Sequence, residues 1–267
     1  MEKDEKDPAP TQKHMPRAYD NALVRFHKTF SYAERSAAAK KAGFNVFQFP
    51  AEMLLVDLLS DSGTTTLTNE QIAESFLGDE AYGTNEGYPK LVSQFEKTFG
   101  LAKDSFELFL FHQGRAAEHA LFTQLGKLVE EATVPSNGHF DTTHANIESN
   151  GIRAVNLFSK NLRTREYHSF KGDMNVVAFE ALLTEEGKNV PLVYTTITNN
   201  TGGGQPVSLE NLSAIKKLCV RYKKPFFLDA CRFAENAWFI KQREKKYRTA
   251  TISTIVHEMF ALCDGFT

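Results

Sequence analysis

The chain has 267 residues, of which 31 are Lys or Arg and 33 are Asp or Glu, so its formal net charge at pH 7 is −2. This near-balance excludes a protein that binds nucleic acid or another polyanion through bulk positive charge. The sequence has no apolar run near the roughly 20 residues of a membrane span, and its charged start lacks a signal-peptide core, so we expect no membrane partner.

The first residues are predicted to form an arm followed by a helix. Residues 1–17 are polar, charged and proline-bearing, which is typical of a disordered arm. Residues 19–42 predict a helix that ends at Gly43, and residues 44–50 predict an extended segment.

Two short stretches then combine apolar residues with turn residues. Residues 56–59 predict a strand that enters a turn at 60–63, where short side chains hydrogen-bond to the backbone. The simplest explanation is a plain turn, with Thr68 as the N-cap of the next helix. Residues 78–82 predict a helix end with Tyr82 on the surface.

A strand is predicted at 107–111, followed by the turn 112–115 and a helix from Ala116. A glycine at a strand-to-helix turn lets backbone N–H groups face an anion, and Arg115 can add a charge-assisted contact. One glycine before a helix is also an ordinary turn. The nucleotide motifs Gly-Lys-Ser/Thr and Gly-x-Gly-x-x-Gly do not occur, which gives an NTPase or dinucleotide site little support.

The strongest pattern is a strand, helix and strand in succession. Residues 192–197 are a β-branched and aromatic run, Ser208 is a good N-cap, and the helix that follows stops before Pro225. Residues 226–228 predict the second buried strand. This order predicts a parallel unit, in which ligands bind beyond the carboxyl ends of the strands.

Three polar residues follow these strand ends: Asn200 after the first strand, and Asp229 and Arg232 after the second. An aspartate beside a pyridine nitrogen keeps it protonated, and a basic residue suits an acidic oxygen, so the group suits pyridoxal phosphate. An Asp–Arg pair that ties a strand to a loop is the plain structural alternative.

Motifs around this unit resemble a known enzyme family. They are TITNN at 196–200, GGQPVS at 203–208 and RFAENAWFIKQRE at 232–244. The sequence resembles the tryptophanase and tyrosine phenol-lyase family of aromatic amino-acid β-eliminating lyases, and tryptophanase more closely. The resemblance implies an aspartate-aminotransferase-like α/β fold with a mostly parallel sheet flanked by helices, with 1–55 as an N-terminal arm and helix and 56–267 as the cofactor domain.

The resemblance also implies how pyridoxal phosphate is held. The phosphate would contact Gln113, Gly114 and Arg115. The ring would stack on Phe140, for which an ordinary core phenylalanine is the alternative. Asp229 would bind the ring nitrogen, with Asn200 and Arg232 on the phenolic oxygen.

Other roles are implied on the substrate side. Tyr82 would reach a partner subunit's site and protonate the leaving ring, although residues 83–89 depart from the family pattern. Asp141 is expected as a buried carboxylate that accepts the indole N–H, where tyrosine phenol-lyase usually has threonine. The resemblance places Ser60, Ser62 and Asn200 by the substrate, and Gly63 and Glu80 at a monovalent cation such as potassium.

Residues 263–267 predict the start of a strand. In the family this strand runs into a Met-Ser-x-Lys-Lys segment that carries the Schiff-base lysine. None of this chain's lysines stands at a matching position. The chain is therefore expected to be a truncated piece without the family's C-terminal small domain, and inactive alone.

The implied reaction is cleavage of L-tryptophan to indole, pyruvate and ammonia by a homotetramer. Tyrosine phenol-lyase, or a β-eliminating lyase with another leaving group, is the first alternative. A non-catalytic subunit that binds the cofactor or only assembles with complete partners is the second. The scattered cysteines Cys219, Cys231 and Cys263 favour a reducing compartment, which predicts a cytoplasmic protein.

Overall fold

A computed structural model describes residues 28–54, 67–79 and 81–267. The chain divides into two compact units, Met1–Leu77 and Gly78–Thr267. The domain boundary predicted near residue 55 lies next to a range outside the described residues and stays a prediction.

Short helices make up the described part of the N-terminal unit. Helix α1 spans Tyr32–Lys41 and begins with a capping box. Helix α2 spans Asn69–Leu77, and Thr68 caps it as predicted, because its hydroxyl accepts a hydrogen bond from the Gln71 amide at 3.2 Å. Within the described residues, the helix predicted over 19–42 begins only at Tyr32.

Residues 44–50 are not extended, so that prediction is wrong. A 3₁₀ turn spans Val46–Gln48, and a second one spans Ala51–Met53. The cause of the first turn is local: the Asn45 side chain accepts a hydrogen bond from the Phe47 amide at 3.0 Å. An asparagine that binds the backbone two residues ahead turns the chain.

The larger unit alternates helices with parallel strands. Its α-helices are α3 (Gly87–Phe99), α4 (Gly114–Leu128), α5 (Asp141–Ser149), α6 (Val176–Glu186), α7 (Leu209–Tyr222), α8 (Phe233–Arg243) and α9 (Ile252–Phe260). Its strands are β1 (Thr133–Ser136), β2 (Arg153–Asn156), β3 (Val193–Thr196), β4 (Phe226–Asp229) and β5 (Gly265–Phe266). Short 3₁₀ turns occur at Gly187–Asn189 and Lys245–Tyr247.

The strands form two parallel ladders with helices on both faces. Strand β1 pairs with β2, and β4 lies between β3 and β5. One buried cluster contains Leu212 of α7, Ile255 of α9 and Phe226, and the other contains Phe122 of α4, Ile147 of α5 and Tyr194. Coverage of both faces is typical of parallel sheets. The predicted fold class, a mostly parallel sheet flanked by helices, is confirmed.

The predicted strand–helix–strand unit is confirmed in detail. Strands β3 and β4 are parallel neighbours, and α7 connects them. The Ser208 hydroxyl accepts from the Asn211 amide at 3.0 Å and caps α7. Lys223 ends the helix in the left-handed conformation at φ 56°. The strand predicted at 263–267 is present as β5.

The strand predicted at 107–111 is wrong. These residues belong to none of the described ladders, and Phe109 and Leu110 are exposed. Their residue types suit a strand, but a strand exists only where a neighbour supplies the ladder. Instead, the Leu108 carbonyl accepts a hydrogen bond from the Tyr88 hydroxyl at 3.0 Å.

A half-buried acid joins the turn before α6 to the start of α7. Asp173 accepts hydrogen bonds from the Ser208 amide at 2.7 Å and the Ser208 hydroxyl at 3.1 Å. Burial raises the pKa of Asp173 to about 7, although these hydrogen bonds oppose the shift. The folded chain therefore binds this proton more tightly than the unfolded chain does.

We expect Asp173→Asn to remove part of the pH dependence of stability. Because the folded-state pKa is raised from 3.8 to about 7, the stabilisation from this group is complete below about pH 4 and is lost as pH rises through 7. Asparagine mimics the protonated acid, so the variant should gain stability over the unmodified chain at pH 8, by no more than about 4 kcal/mol. Urea unfolding at pH 5 and pH 8 measures this. The substitution Glu166→Gln, at an exposed residue, is the control. If the stability of Asp173→Asn depends on pH in the same way as that of the unmodified chain, the proposed effect of Asp173 is contradicted.

Candidate active site

The carboxyl ends of β3 and β4 lie side by side, as the predicted parallel unit requires. Thr196 and Asp229 are partners in the ladder. The Ile197 amide donates to the Asp229 carbonyl at 3.0 Å, and the Arg232 amide donates to the Ile197 carbonyl at 3.0 Å. Asn200 lies in the loop after β3, and Arg232 is the N-cap of α8. The structure thus brings Asn200, Asp229 and Arg232 to one edge of the sheet.

Asp229 is a buried carboxylate at this edge. The residue is 7% exposed, and its Oδ1 accepts from the Cys231 amide at 3.3 Å. Burial raises the pKa of Asp229, whereas hydrogen bonds from Cys231 and the charge of Arg232 lower it. A buried carboxylate is stabilised by a cationic donor. A protonated ring nitrogen is such a donor, so Asp229 fits its predicted contact with pyridoxal phosphate.

The N-terminus of α4 leaves space for an anion. Gln113 is the N-cap and makes no side-chain cap hydrogen bond, and Gln113, Gly114 and Arg115 are all exposed. A Cβ atom built on Gly114 would meet no heavy atom within 4 Å. First-turn amides have no acceptor within a helix, and the helix dipole favours negative charge there. These features fit a phosphate group.

Helix α5, which begins at Phe140 and Asp141, contacts this end of α4. Phe140 is the half-buried N-cap of α5, and Asp141 is its first residue. The Asn146 amide side chain donates to the Arg115 carbonyl at 3.2 Å and joins α5 to the first turn of α4. The phosphate and ring-stacking residues of the prediction therefore belong to adjacent segments.

The Asp141 side chain is exposed, so the expectation of a buried carboxylate is wrong for this chain. Its Oδ1 accepts from the Thr142 amide at 3.0 Å. A carboxylate in the first turn of a helix is stabilised by the helix dipole without burial. The role predicted for Asp141 toward a substrate stays a prediction.

Two asparagines, Asn137 and Asn199, join the loops at this edge, and we call them the asparagine clamp. Asn137 Oδ1 accepts from the Thr196 amide at 2.9 Å, and Asn137 Nδ2 donates to the Thr196 carbonyl at 3.0 Å and to the Gly172 carbonyl at 2.8 Å. Asn199 Nδ2 donates to the Asn137 carbonyl at 2.9 Å. Because β1 and β3 belong to different ladders, these side chains connect the ends of the two sheets.

Asn137 was not among the site residues predicted from the sequence. The signal available was a Ser-Asn-Gly turn directly after the apolar pair at 134–135. A turn signal alone does not reveal that the side chain bonds to a strand far along the chain.

Of the remaining predicted site residues, the structure describes Tyr82. The Tyr82 side chain is fully exposed. Ser60, Ser62, Gly63 and Glu80 lie outside the described residues. Their predicted roles stay predictions.

The sequence profile of the β-eliminating lyases matches residues 57–267. The chain belongs to the β-eliminating lyase family. This confirms, at the level of the family, the resemblance drawn from the motifs of residues 196–244.

Curated relatives carry the name tryptophanase. The chain is 45% identical to the tryptophanase of Hyphomonas neptunium over 88% of this chain and 50% of that protein. It is 44% identical to the tryptophanase of Rhodobacter capsulatus over 89% of this chain and 51% of that protein. The chain thus spans about half the length of these relatives.

Solved structures show more distant similarity. The chain is 14% identical to the PLP-bound C–S lyase of Staphylococcus hominis, with a TM-score of 0.46 over 72% of this chain and 59% of that one.

Residues 28–54, 67–79 and 81–267 lack two classes of feature. No helix there is long and apolar enough to cross a bilayer. The same ranges hold no group of three or more His, Cys, Asp or Glu side chains arranged for a metal ion.

We expect Asn137→Ala to destabilise the chain by roughly 3 kcal/mol or more, because it leaves the amide and the carbonyl of Thr196 buried without the partners that Asn137 supplies. The Gly172 carbonyl also loses its shorter hydrogen bond and keeps only the Asn199 amide at 3.5 Å. Urea unfolding followed by circular dichroism measures the change. Asn189→Ala is the control, since the half-buried Asn189 side chain makes no hydrogen bond with the described residues. Equal stability losses in the two variants would show that the asparagine clamp does not hold the sheets together.

Proposed function

We propose that this chain holds pyridoxal phosphate at the carboxyl edge of its sheet and serves the β-elimination of L-tryptophan in the whole protein. The buried carboxylate of Asp229 beside Arg232 carries the proposal, because its pKa is raised by burial and a cationic ring nitrogen would stabilise its charge. Membership of the β-eliminating lyase family and the curated tryptophanases support it.

Each cofactor contact is assigned to a described residue. Gln113, Gly114 and Arg115 hold the phosphate at the open N-terminus of α4, and Phe140 stacks on the ring. Asn200 and Arg232 bind the phenolic oxygen. Asp229 keeps a proton on the ring nitrogen, and in that state the bound cofactor draws electrons away from the Cα atom of the amino acid.

The substrate contacts are assigned to both described and undescribed residues. Tyr82 gives its proton to the indole ring carbon as the side chain leaves, and its exposure is compatible with service at a partner subunit's site. Asp141 accepts the indole N–H, and its exposure leaves the carboxylate accessible to a ligand. Ser60, Ser62 and Asn200 position the amino acid.

Further parts of the proposal concern the whole protein. Gly63 and Glu80 supply oxygen ligands to a potassium ion. The assembly is a homotetramer in the cytoplasm, and the free cysteines Cys219, Cys231 and Cys263 are compatible with a reducing compartment. None of the chain's lysines stands where the family has its Schiff-base lysine, so we propose that this chain alone does not turn over substrate.

Complementation with a relative tests this function. The chain is produced with the C-terminal half of the Rhodobacter capsulatus tryptophanase, with pyridoxal phosphate and potassium present, and indole from L-tryptophan and phenol from L-tyrosine are measured. We expect indole from the complemented pair and no product from the chain alone. Asp141→Thr should lower indole release about tenfold or more, because a charged hydrogen-bond acceptor is lost.

Three outcomes would contradict the proposal. Phenol release without indole release would indicate a tyrosine phenol-lyase. Absence of product from halves that co-purify would indicate a non-catalytic subunit. Product from the chain alone would show that it carries its own catalytic base.

A further inference from the structure

A second buried carboxylate lies near the proposed cofactor site. Glu118 is on α4, one helical turn after Gly114, and is 6% exposed. Its Oε1 accepts hydrogen bonds from Thr143 Oγ1 at 2.6 Å and from the Tyr194 hydroxyl at 3.4 Å. The 2.6 Å distance is that of a short hydroxyl–carboxyl hydrogen bond. Glu118 therefore links α4 to α5 and to β3.

Glu118 lies against the same face of the sheet as Asp229. Tyr194 and Thr196 are two residues apart on β3, so their side chains share a face, and Thr196 is the ladder partner of Asp229. The Tyr194 ring packs against Phe122 of α4, with 5.6 Å between the ring centroids, so α4 covers this face.

The charge of Asp229 acts on the ionisation of Glu118. Burial is the main cause that raises the pKa of Glu118, and the charge of Asp229 raises it further. Burial also raises the pKa of the Tyr194 phenol, with additional contributions from Asp229 and Glu118. The phenol of Tyr194 thus lies in the field of both acids.

The charge of Arg232 lowers the pKa of Asp229. Within the described residues, no Lys, Arg or His forms an ion pair with Glu118. Two buried acids of like charge favour a bound cation over a neutral ligand.

We propose that Glu118 is a positioning residue for the ring nitrogen of pyridoxal phosphate, because it adds a second negative charge, beside that of Asp229, which favours the protonated nitrogen. This inference rests on the proposed function, because it concerns the cofactor assigned to this edge. The inference predicts that the charge of Glu118 strengthens the binding only of ligands that have a basic ring nitrogen.

Two ligands separate this role from a structural one. The first is pyridoxal phosphate, and the second is its deaza analogue, in which a C–H group replaces the ring nitrogen. Glu118→Gln keeps an oxygen that accepts from Thr143 and Tyr194 but removes the charge. We expect this variant to bind pyridoxal phosphate about tenfold more weakly and to bind the deaza analogue with unchanged affinity. Fluorescence titration of the chain measures both dissociation constants.

Other results would overturn the inference. An equal loss of affinity for both ligands would show that Glu118 only supports the fold around the site. Unchanged affinity for pyridoxal phosphate would show that its charge does not reach the nitrogen. If the unmodified chain binds neither ligand, the proposed cofactor site itself fails and this inference fails with it.

A second variant keeps the test decisive should Glu118→Gln not fold. In Asp229→Asn the charge of Glu118 is still present, so a reduced preference for pyridoxal phosphate over the deaza analogue should remain. Complete loss of that preference would show that Asp229 alone supplies the negative charge that favours the protonated ring nitrogen, and it would overturn the role of Glu118.

Discussion

The proposed site depends on one side-chain amide that acts where a backbone ladder is missing. Asn137 bonds both the amide and the carbonyl of Thr196, so the end of β1 is fixed against the end of β3. Phe140 follows Asn137 closely in the chain, and Asp229 is the ladder partner of Thr196. The asparagine clamp therefore sets the distance between the segment assigned to the ring face and the residue assigned to the ring nitrogen.

Charges of opposite sign lie at the two ends of the proposed cofactor site. The N-terminus of α4 and Arg115 present positive potential where the phosphate is proposed, and Asp229 with Glu118 presents negative potential where the ring nitrogen is proposed. A cofactor with a dianionic group at one end and a protonated heterocycle at the other matches this arrangement. Helix α4 contributes to both ends, since Gly114 starts it and Glu118 lies one turn further on.

Much of this fold follows from local pattern in the sequence. The β3–α7–β4 unit was predictable because its signals are local: a β-branched run, the Ser208 cap and a proline stop. The strand end that carries Asp229 followed from the same pattern. The strand predicted at 107–111 is wrong because apolar character cannot specify a partner strand. The extended segment predicted at 44–50 is wrong because the Asn45 side chain turns the backbone.

The sequence predicts which residues form the candidate site better than it predicts their burial and contacts. Asn200, Asp229 and Arg232 share an edge because parallel strands require it. The exposure of Asp141 and the contacts of Asn137 and Glu118 depend on segments distant in the chain, which periodicity and spacing do not reveal. The Thr143 contact of Glu118, for example, joins two different helices.

Amide hydrogen exchange of the chain with and without pyridoxal phosphate tests the central claim most directly, because it locates the bound ligand. The account predicts slower exchange at residues 113–116, 138–141, 199–203 and 230–233, the segments at the carboxyl edge of the sheet. Unchanged exchange in those segments would contradict it. So would protection confined to the opposite edge, around the groove lined by Glu131, Thr133 and Arg153.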